Sequence, residues 1–564
     1  MRKTLSTLLV AATAVATLQA AGCVGSIGAG DEDNPLGKPP GEKTPQGVEC
    51  KANQAGEAPL RRLTRAEYRR TVTDLLGSDL GQAEHFAIDA SVGSFYNNTN
   101  APVTVLLATQ LMEAAEALSA SAAATLDTLV PCDPAAPGDE QACLDGFLDS
   151  FGKRAYRRPL SDAEKGRYQA LFDRMRTELS YGFGDAMRVV LNTILQAPAF
   201  VYHVEPGGTA EGDATTVRVG GYELASRLSY FLWGTMPDDD LLAAAESGDL
   251  DSDEGLKAEV DRMLDDDRAK EGLRAMYGQW MMLEKLAVIT KDPSFYDGYD
   301  EAAAAVFREG TEAFVDEVLW EGDARLETLL TASFAYVDET LADIYGVTKP
   351  AGEGLQRVEL DPEQRAGILT QASVMAIQAH AYQTSPVFRG KFVRERLLCQ
   401  TLPSPPGDVD VSPPEPDPTL TTRERFAAHQ TDPVCRGCHE LMDNIGLGFE
   451  KYDPVGRYRE TEGDDLAIDD SGEIIKSTDA DGKFHGPVEL SKLLVGSNQV
   501  VACTTKQFAT YALGRDPADE DLCSLEPLSV GLTASELDLR QLVVAITRSD
   551  AFRNRQLVTV ETCQ

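Results

Sequence analysis

Basic residues are scarce in this sequence. The 564 residues include 52 lysines and arginines against 91 aspartates and glutamates, so the formal net charge at pH 7 is −39. A surface this acidic repels phosphate backbones and anionic headgroups. The composition therefore argues against nucleic acid as a partner, and it is otherwise usual for a soluble exported protein.

Long apolar runs are also lacking. The run from Leu8 to Leu18 is shorter than the roughly 20 residues that a membrane-spanning helix needs. It follows the basic residues Arg2 and Lys3 and precedes small residues, which is typical of a secretory signal. We therefore predict a signal peptide over residues 1–22, and we find no later segment that is long and apolar enough to cross a bilayer.

Cys23 directly follows the small residues of the signal. The sequence Ala20-Ala21-Gly22-Cys23 resembles the bacterial lipobox, where cleavage leaves a diacylated cysteine as the first residue. Residues 23–58 are rich in glycine, proline and charge, which predicts a flexible stalk. We expect a lipoprotein of the periplasm or cell surface, anchored to a membrane, and to the outer membrane in particular, through Cys23. Ordinary signal cleavage with an incidental Cys23 is the alternative.

Hydrolase signatures are missing as well. No serine lies in a Gly-x-Ser-x-Gly elbow, and no two of the six histidines have metal-ligand spacing. The acidic pairs at 464–465 and 469–470 fall in a polar loop, for which a calcium site is the alternative reading. The sequence assigns no catalytic residue.

Helical patterns prevail along the chain. Residues 64–67 and 161–164 are capping boxes, each followed by apolar residues at helical spacing. Further helices are predicted over 256–284, 299–320 and 363–378, whereas strand signals are short and occur near 215–219 and 355–359. We predict a mainly α fold built as successive helical modules.

The clearest chemical motif is Cys435-Arg436-Gly437-Cys438-His439. Two thiols with two residues between them can bond to the two vinyl groups of one porphyrin, and the following histidine then serves as an axial ligand of the iron. The motif predicts one covalently attached haem c on Cys435, Cys438 and His439, within a helical module near the carboxyl terminus.

Two other readings of this motif are open. Cys435 and Cys438 could form a disulfide, as in redox-active dithiols, although the thioredoxin-like βαβ setting is lacking. A zinc site could use His429 as a further ligand, although the adjacent Cys438 and His439 chelate one tetrahedral ion awkwardly.

The sixth iron ligand is open in the sequence. His429 could be the distal ligand, a propionate contact or a core residue. Arg457 and Arg459 could neutralise the haem propionates, with a solvated or salt-bridged arginine as the alternative. The remaining candidates for the ligand are Met442, which core packing explains better, and His485, His380 and Met375.

Seven of the ten cysteines remain after Cys23, Cys435 and Cys438. In an oxidising compartment most of them should pair. Sequence separation favours two local disulfides, Cys132 with Cys143 and Cys503 with Cys523. The pairing of Cys50, Cys399 and Cys563 is not fixed by the sequence.

A set of motifs in fixed order resembles one known family. In chain order they are LRRLT at 60–64, DLLG at 74–77, FGKRAYRRPL at 151–160, LASRLSYFLW at 224–233, FAYV at 334–337, RAGILTQ at 365–371, TSPVFRG at 384–390, and YALGR at 511–515. The haem motif, with His429 before it and Gly446, Glu450, Asp453, Gly456 and Arg459 after it, belongs to the same series. The chain thus resembles the planctomycete-type cytochrome c proteins, which are also common in myxobacteria. Their domains of unknown function follow the order 1587, 1595, 1592, 1588 and 1585. The resemblance implies haem binding and export, and it implies no substrate.

A proline-rich segment at 402–418, with seven prolines, marks the strongest boundary because such a sequence cannot be helical. We divide the chain into a signal peptide (1–22), a stalk (23–58), an N-terminal helical module (59–130), a second helical module (131–205), a large helical module (206–350), a helical lead-in (351–401), the proline-rich linker (402–418), the haem module (419–487) and a C-terminal helical module (488–564).

Two function classes fit one haem without a second recognised cofactor. The first is electron transfer or a haem-dependent oxidoreductase reaction, with an unknown redox partner or substrate. The alternative is a surface binding or structural protein in which the haem is not catalytic.

Overall fold

The computed structural model describes residues 49–51, 53–99, 101–130, 132, 140–205, 215–293, 296, 298–403, 412–431, 433–533 and 538–556, with the backbone alone for 428–431 and 433–434. The predicted signal peptide, Cys23, most of the stalk, part of the proline-rich linker and Cys563 lie outside these residues. Within them the protein is mainly helical, as the sequence predicted.

The first hydrophobic core is built from residues of 63–201, joined by Tyr230 and Met236. Its helices are Arg65–Leu76, Val105–Ala122, Leu126–Leu129, Glu140–Phe147 (continued by wider turns as Leu148–Gly152 and by Lys153–Tyr156), Asp162–Thr177, Phe183–Gln196 and Pro198–Val201. Both predicted capping boxes are confirmed, at Thr64 and at Ser161. The two predicted N-terminal modules therefore share one core.

The second core gathers apolar side chains from Phe95 and from 219–552. Its helices are Gly221–Leu232, Asp239–Ser247, Asp253–Leu264, Asp267–Trp280, Glu301–Asp316, Leu326–Thr331, Glu339–Tyr345, Ala372–Ile377, Pro386–Phe392, Pro433–Gly446, Gly486–Val495, Asn498–Leu513, Leu522–Thr533, Leu539–Arg548 and Asp550–Arg553. The helix Thr422–Thr431 packs against Pro433–Gly446. Wider turns continue two of them as Glu317–Glu321 and Val393–Leu397.

The helices predicted over 256–284 and 363–378 are shorter than expected. The first is broken at Asp265 and Asp266, because Asp266 caps a new helix by accepting a hydrogen bond from the Arg268 backbone. The second is reduced to Ala372–Ile377, preceded by one tighter turn at Ile368–Thr370.

All strand pairs are antiparallel and short. They are Ser91–Val92 with Phe95–Tyr96, Asn98–Thr99 with Arg61–Arg62, Arg61–Arg62 with Tyr202–His203, Thr216–Arg218 with Asn554–Gln556, Phe334–Val337 with Gln356–Glu359, Thr461–Glu462 with Leu466–Ala467, and Ser471–Ile474 with Gly482–His485. The strands expected near 215–219 and 355–359 are present. The pairing sets Arg61 opposite both Thr99 and His203.

Three disulfides tie the described chain. Cys132 pairs with Cys143, as predicted, with a Cα–Cα distance of 5.4 Å. The predicted Cys503–Cys523 disulfide is wrong, because Cys503 bonds Cys399 and Cys523 bonds Cys50. The physical reason is that Cys503 lies on Asn498–Leu513, which packs against Val393–Leu397, whereas Cys523 lies on the next helix.

In the part of the chain that the structure describes, no helix has both the length and the apolar character needed to cross a bilayer.

Candidate functional site

The haem motif lies on one helix, Pro433–Gly446. Cys435 and Cys438 are three residues apart and so share a helix face. Both are free thiols and both are partly exposed. The structure therefore does not contain the alternative Cys435–Cys438 disulfide, and it offers two accessible thiols side by side.

His439 is oriented by a buried carboxylate one turn along the same helix. Its Nδ1 lies 3.0 and 3.1 Å from the two carboxylate oxygens of Asp443. The Asp443 side chain is fully buried, whereas 22% of the His439 side chain is exposed. An ionised carboxylate can only accept, so Nδ1–H donates and Nε2 is the nitrogen suited to bind iron. Sequence reasoning missed Asp443, although its i+4 spacing from His439 was a usable signal.

Close backbone contact holds this helix in place. A Cβ atom on Gly390 would overlap the backbone of Met442, and a Cβ atom on Gly446 would overlap the backbone of Pro386. The helices Pro386–Phe392 and Pro433–Gly446 therefore touch backbone to backbone. Only glycine allows this approach at either position.

Buried arginines fasten the same region. Arg394 donates from Nε to the Leu441 carbonyl at 2.9 Å and from Nη2 to the Ile475 carbonyl at 2.6 Å. Arg389 donates to the carbonyls of Phe449 at 2.7 Å and Tyr452 at 2.9 Å. These bonds fix the haem-motif helix and the turn after it to the helical lead-in.

The two candidate propionate arginines are engaged by protein carboxylates. Arg457 lies 2.9 Å from an Asp343 oxygen. Arg459 donates to the Glu450 carbonyl at 3.1 Å, and its Nη2 lies 3.7 Å from Glu462. The structure thus contains the salt bridges that were the alternative reading, and contact with propionates stays a prediction.

Two of the candidate sixth ligands are packed in the core. Met442 is 7% and Met375 1% exposed. His485, in contrast, is 69% exposed beside Asp470 at the end of a strand. The identity of the sixth ligand stays a prediction.

His380 packs against the helix that adjoins the haem-motif helix. Its ring centroid is 4.9 Å from that of Phe388, which lies on Pro386–Phe392. Burial and the nearby Lys291 lower the pKa of His380, which favours the neutral form that binds metals. His429 lies on the helix Thr422–Thr431, and its side chain is not among the described parts of the structure.

The described residues hold no cluster of three or more His, Cys, Asp or Glu side chains arranged to bind a metal ion. In the acidic loop, Asp469 instead accepts the Ser471 backbone N–H at 2.9 Å, and Asp470 lies 3.3 Å from Lys451. These contacts agree with the polar-loop reading. The donor set of Cys435, Cys438 and His439, by contrast, fits haem c, because two adjacent thiols and an oriented imidazole are the groups that haem c requires.

Five family models match the chain, each described as a protein of unknown function. In chain order they are DUF1587 at 61–124, DUF1595 at 143–205, DUF1592 at 219–347, DUF1588 at 365–462 and DUF1585 at 481–552. The fourth, which includes the haem motif, has the short name PSCyt3, a cytochrome-like name. No curated protein and no solved structure matches the chain.

Proposed function

This chain belongs to the planctomycete-type cytochrome c family of multi-domain proteins, and from this membership we propose that it carries one haem c on Cys435, Cys438 and His439. The observation that carries the proposal is the pair of free, partly exposed thiols on the helix face next to His439. Thioether bonds from the two thiols would hold the porphyrin, and Nε2 of His439 would bind the iron. When bound, this group supplies one-electron redox chemistry.

Asp443 is the positioning residue of the proposed site. Its carboxylate fixes the ring orientation and tautomer of His439 and makes the imidazole a stronger electron donor. A stronger donor stabilises the oxidised iron relative to the reduced iron. This favours a site of lowered reduction potential, suited to electron transfer or to a haem-dependent oxidoreductase reaction.

Export and lipid attachment at Cys23 are part of the proposal. The signal and lipobox patterns support them, and so do the three disulfides, because disulfides persist in oxidising compartments outside the cytoplasm. Radioactive palmitate should label the wild type and not Cys23→Ala, which should also leave the membrane fraction. Membrane retention of Cys23→Ala would reject the lipid anchor.

The haem proposal is tested in a host competent for cytochrome c maturation. Denaturing electrophoresis with peroxidase staining should show haem on the wild-type polypeptide, with a pyridine haemochrome spectrum of the c type. The double variant Cys435→Ala/Cys438→Ala should lose the stain. The matched control Cys132→Ala/Cys143→Ala removes two cysteines that form a disulfide elsewhere, and it should keep the stain. Wild-type protein without covalent haem would overturn the proposal.

A further inference from the structure

Two adjoining cavities outside the haem module share Arg61 and Gly514 in their walls. Their volumes are about 70 and 300 Å³. Most of their lining comes from residues matched to the DUF1587, DUF1595, DUF1592 and DUF1585 models, and none of it comes from the DUF1588 match. Motifs that lie far apart in the sequence, including LRRLT with Arg61 and YALGR with Gly514, therefore meet at one place.

The smaller cavity contains an arginine, Arg70, with which no carboxylate of the described residues forms an ion pair. Arg70 makes no hydrogen bond or ion pair with any residue that the structure describes. Its guanidinium lies so close to Gly234 that a Cβ atom there would overlap it. At Gly514, likewise, a Cβ atom would lie 2.9 Å from Cδ of Arg61. Both glycines have positive φ, of 66° and 65°, so the backbone itself is shaped to admit the two arginines.

The carboxylates of the smaller cavity are already satisfied. Glu67 accepts from Nη1 of Arg61 at 3.1 Å and from the Thr64 backbone N–H at 2.7 Å. Asp89 accepts from the backbone N–H of Arg65 at 2.9 Å and from the side chain of Asn98 at 2.7 Å. Neither carboxylate therefore uses Arg70 as a partner in any hydrogen bond or ion pair of the described residues.

The larger cavity adds an unused polar group. Nε2 of His203 is buried and makes no hydrogen bond within the described structure; it lies 3.7 Å from Glu67. The side chain is only 10% exposed, and its ring meets the Tyr230 ring edge-on with centroids 4.4 Å apart. A buried polar atom without a partner is costly, which points to a ligand group or water that bonds it.

We propose that the joined cavities bind a small organic monocarboxylate. Its carboxylate pairs with Arg70 in the smaller cavity, and its organic part extends past Arg61 into the larger cavity, toward His203. A single guanidinium that no described carboxylate pairs with suits a single negative charge, and Glu67 and Asp89 repel a dianion such as hydrogen phosphate more strongly than a monoanion. The aromatic lining, which includes Phe95, suits an organic group. The site does not depend on the haem.

The test is titration calorimetry and ligand-observed NMR of the full-length protein with acetate, benzoate and inorganic phosphate. We expect benzoate to bind more tightly than acetate, and both to bind more tightly than phosphate. Arg70→Gln should lower the affinity for benzoate at least ten-fold. Arg69→Gln, which removes the same charge from an exposed position of the same helix, should leave its affinity unchanged.

Each other outcome overturns the proposal: no carboxylate binding, binding of phosphate alone, or equal losses in the two variants. Because the described residues form no hydrogen bond or ion pair with Arg70, Arg70→Gln should keep the wild-type unfolding midpoint. If it does not, Arg70→Lys, which retains the charge, must retain benzoate binding, and loss of binding there also overturns the proposal. The haem stain should be the same in all variants, so failure here is separate from failure of the haem proposal.

Discussion

His439 and Asp443 form the side-chain pair on which the proposed redox chemistry depends. Asp443→Asn keeps an oxygen that can accept from Nδ1 and removes the negative charge. Because that charge would stabilise the oxidised iron of the proposed haem, we expect the reduction potential to rise by roughly 50–100 mV, where about 59 mV corresponds to a tenfold change for one electron. Spectroelectrochemical titration of the haem-loaded protein measures this shift.

Glu440 provides the control for Asp443. It is the residue after His439, but its carboxylate points to solvent-exposed Lys476 rather than to the imidazole. Glu440→Gln removes the same charge from the same helix. Because solvent screens the charge of Glu440, the haem reduction potential of this variant should change by no more than about 20 mV. Equal shifts in the two variants would contradict a specific role for Asp443.

His203 should make stability depend on pH. Burial and the nearby Arg61 lower its pKa to about 4. The folded protein therefore binds the proton of His203 less tightly than the unfolded chain does. The free energy of unfolding is not reduced by His203 above the unfolded pKa of about 6.5, and it decreases as the pH drops toward 4. This decrease in unfolding free energy is about 3 kcal/mol, since each unit of pKa difference corresponds to about 1.4 kcal/mol. Urea denaturation at pH 7 and pH 4.5 should show this loss, and His203→Gln should reduce it.

The exposed His85 is the control for this effect. His85→Gln should retain the wild-type dependence on pH, since it leaves the buried His203 and its contacts unchanged. The prediction is wrong if His203→Gln loses as much stability as the wild type between the two pH values.

At the level of elements, the contact between Pro386–Phe392 and Pro433–Gly446 sets the position of the haem motif. Gly390→Ala should separate the two helices, because the new Cβ meets the Met442 backbone. We expect a loss of about 1–3 kcal/mol in unfolding free energy, as for other overpacked sites, together with less covalent haem per polypeptide. Denaturation and the pyridine haemochrome yield measure the two effects.

Gly437, inside the haem motif, is the matched control for Gly390. A Cβ atom there meets nothing within 4 Å. Gly437→Ala should therefore keep the haem yield and gain up to about 1 kcal/mol from the better helix propensity of alanine. A loss of haem in this variant as large as in Gly390→Ala would show that the interhelical contact is not the cause.

Sequence patterns that involve only a few neighbouring residues predicted the starts of helices correctly. The capping boxes at Thr64 and Ser161 depend on residues three apart, and both are present in the structure. The break at Asp266 was missed, because an aspartate inside an amphipathic pattern reads equally well as an exposed helix residue. Asp443 was missed although it is local, since a carboxylate one turn after a histidine is common on helix surfaces.

At the level of the whole molecule, what the sequence could not predict is which distant segments meet. The second core joins Phe95 to residues as far along the chain as Phe552, and no periodicity encodes that pairing. The error over Cys503 and Cys523 has the same origin. Short separation favours a disulfide in the unfolded chain, but the folded positions of Cys399 and Cys50 decide the partners.

The disulfides permit a comparison of two very different loops. Cys50–Cys523 spans 473 residues and Cys132–Cys143 spans 11. Loop-closure entropy grows by about 0.6 kcal/mol per doubling of loop length, so the long disulfide should stabilise the protein by about 3 kcal/mol more than the short one. Cys50→Ser/Cys523→Ser should therefore lower the unfolding free energy more than Cys132→Ser/Cys143→Ser does. Denaturant titration with peptide mapping under non-reducing conditions measures this, and equal losses would mean that the long loop is already constrained by Cys399–Cys503 or by structure remaining in the unfolded chain.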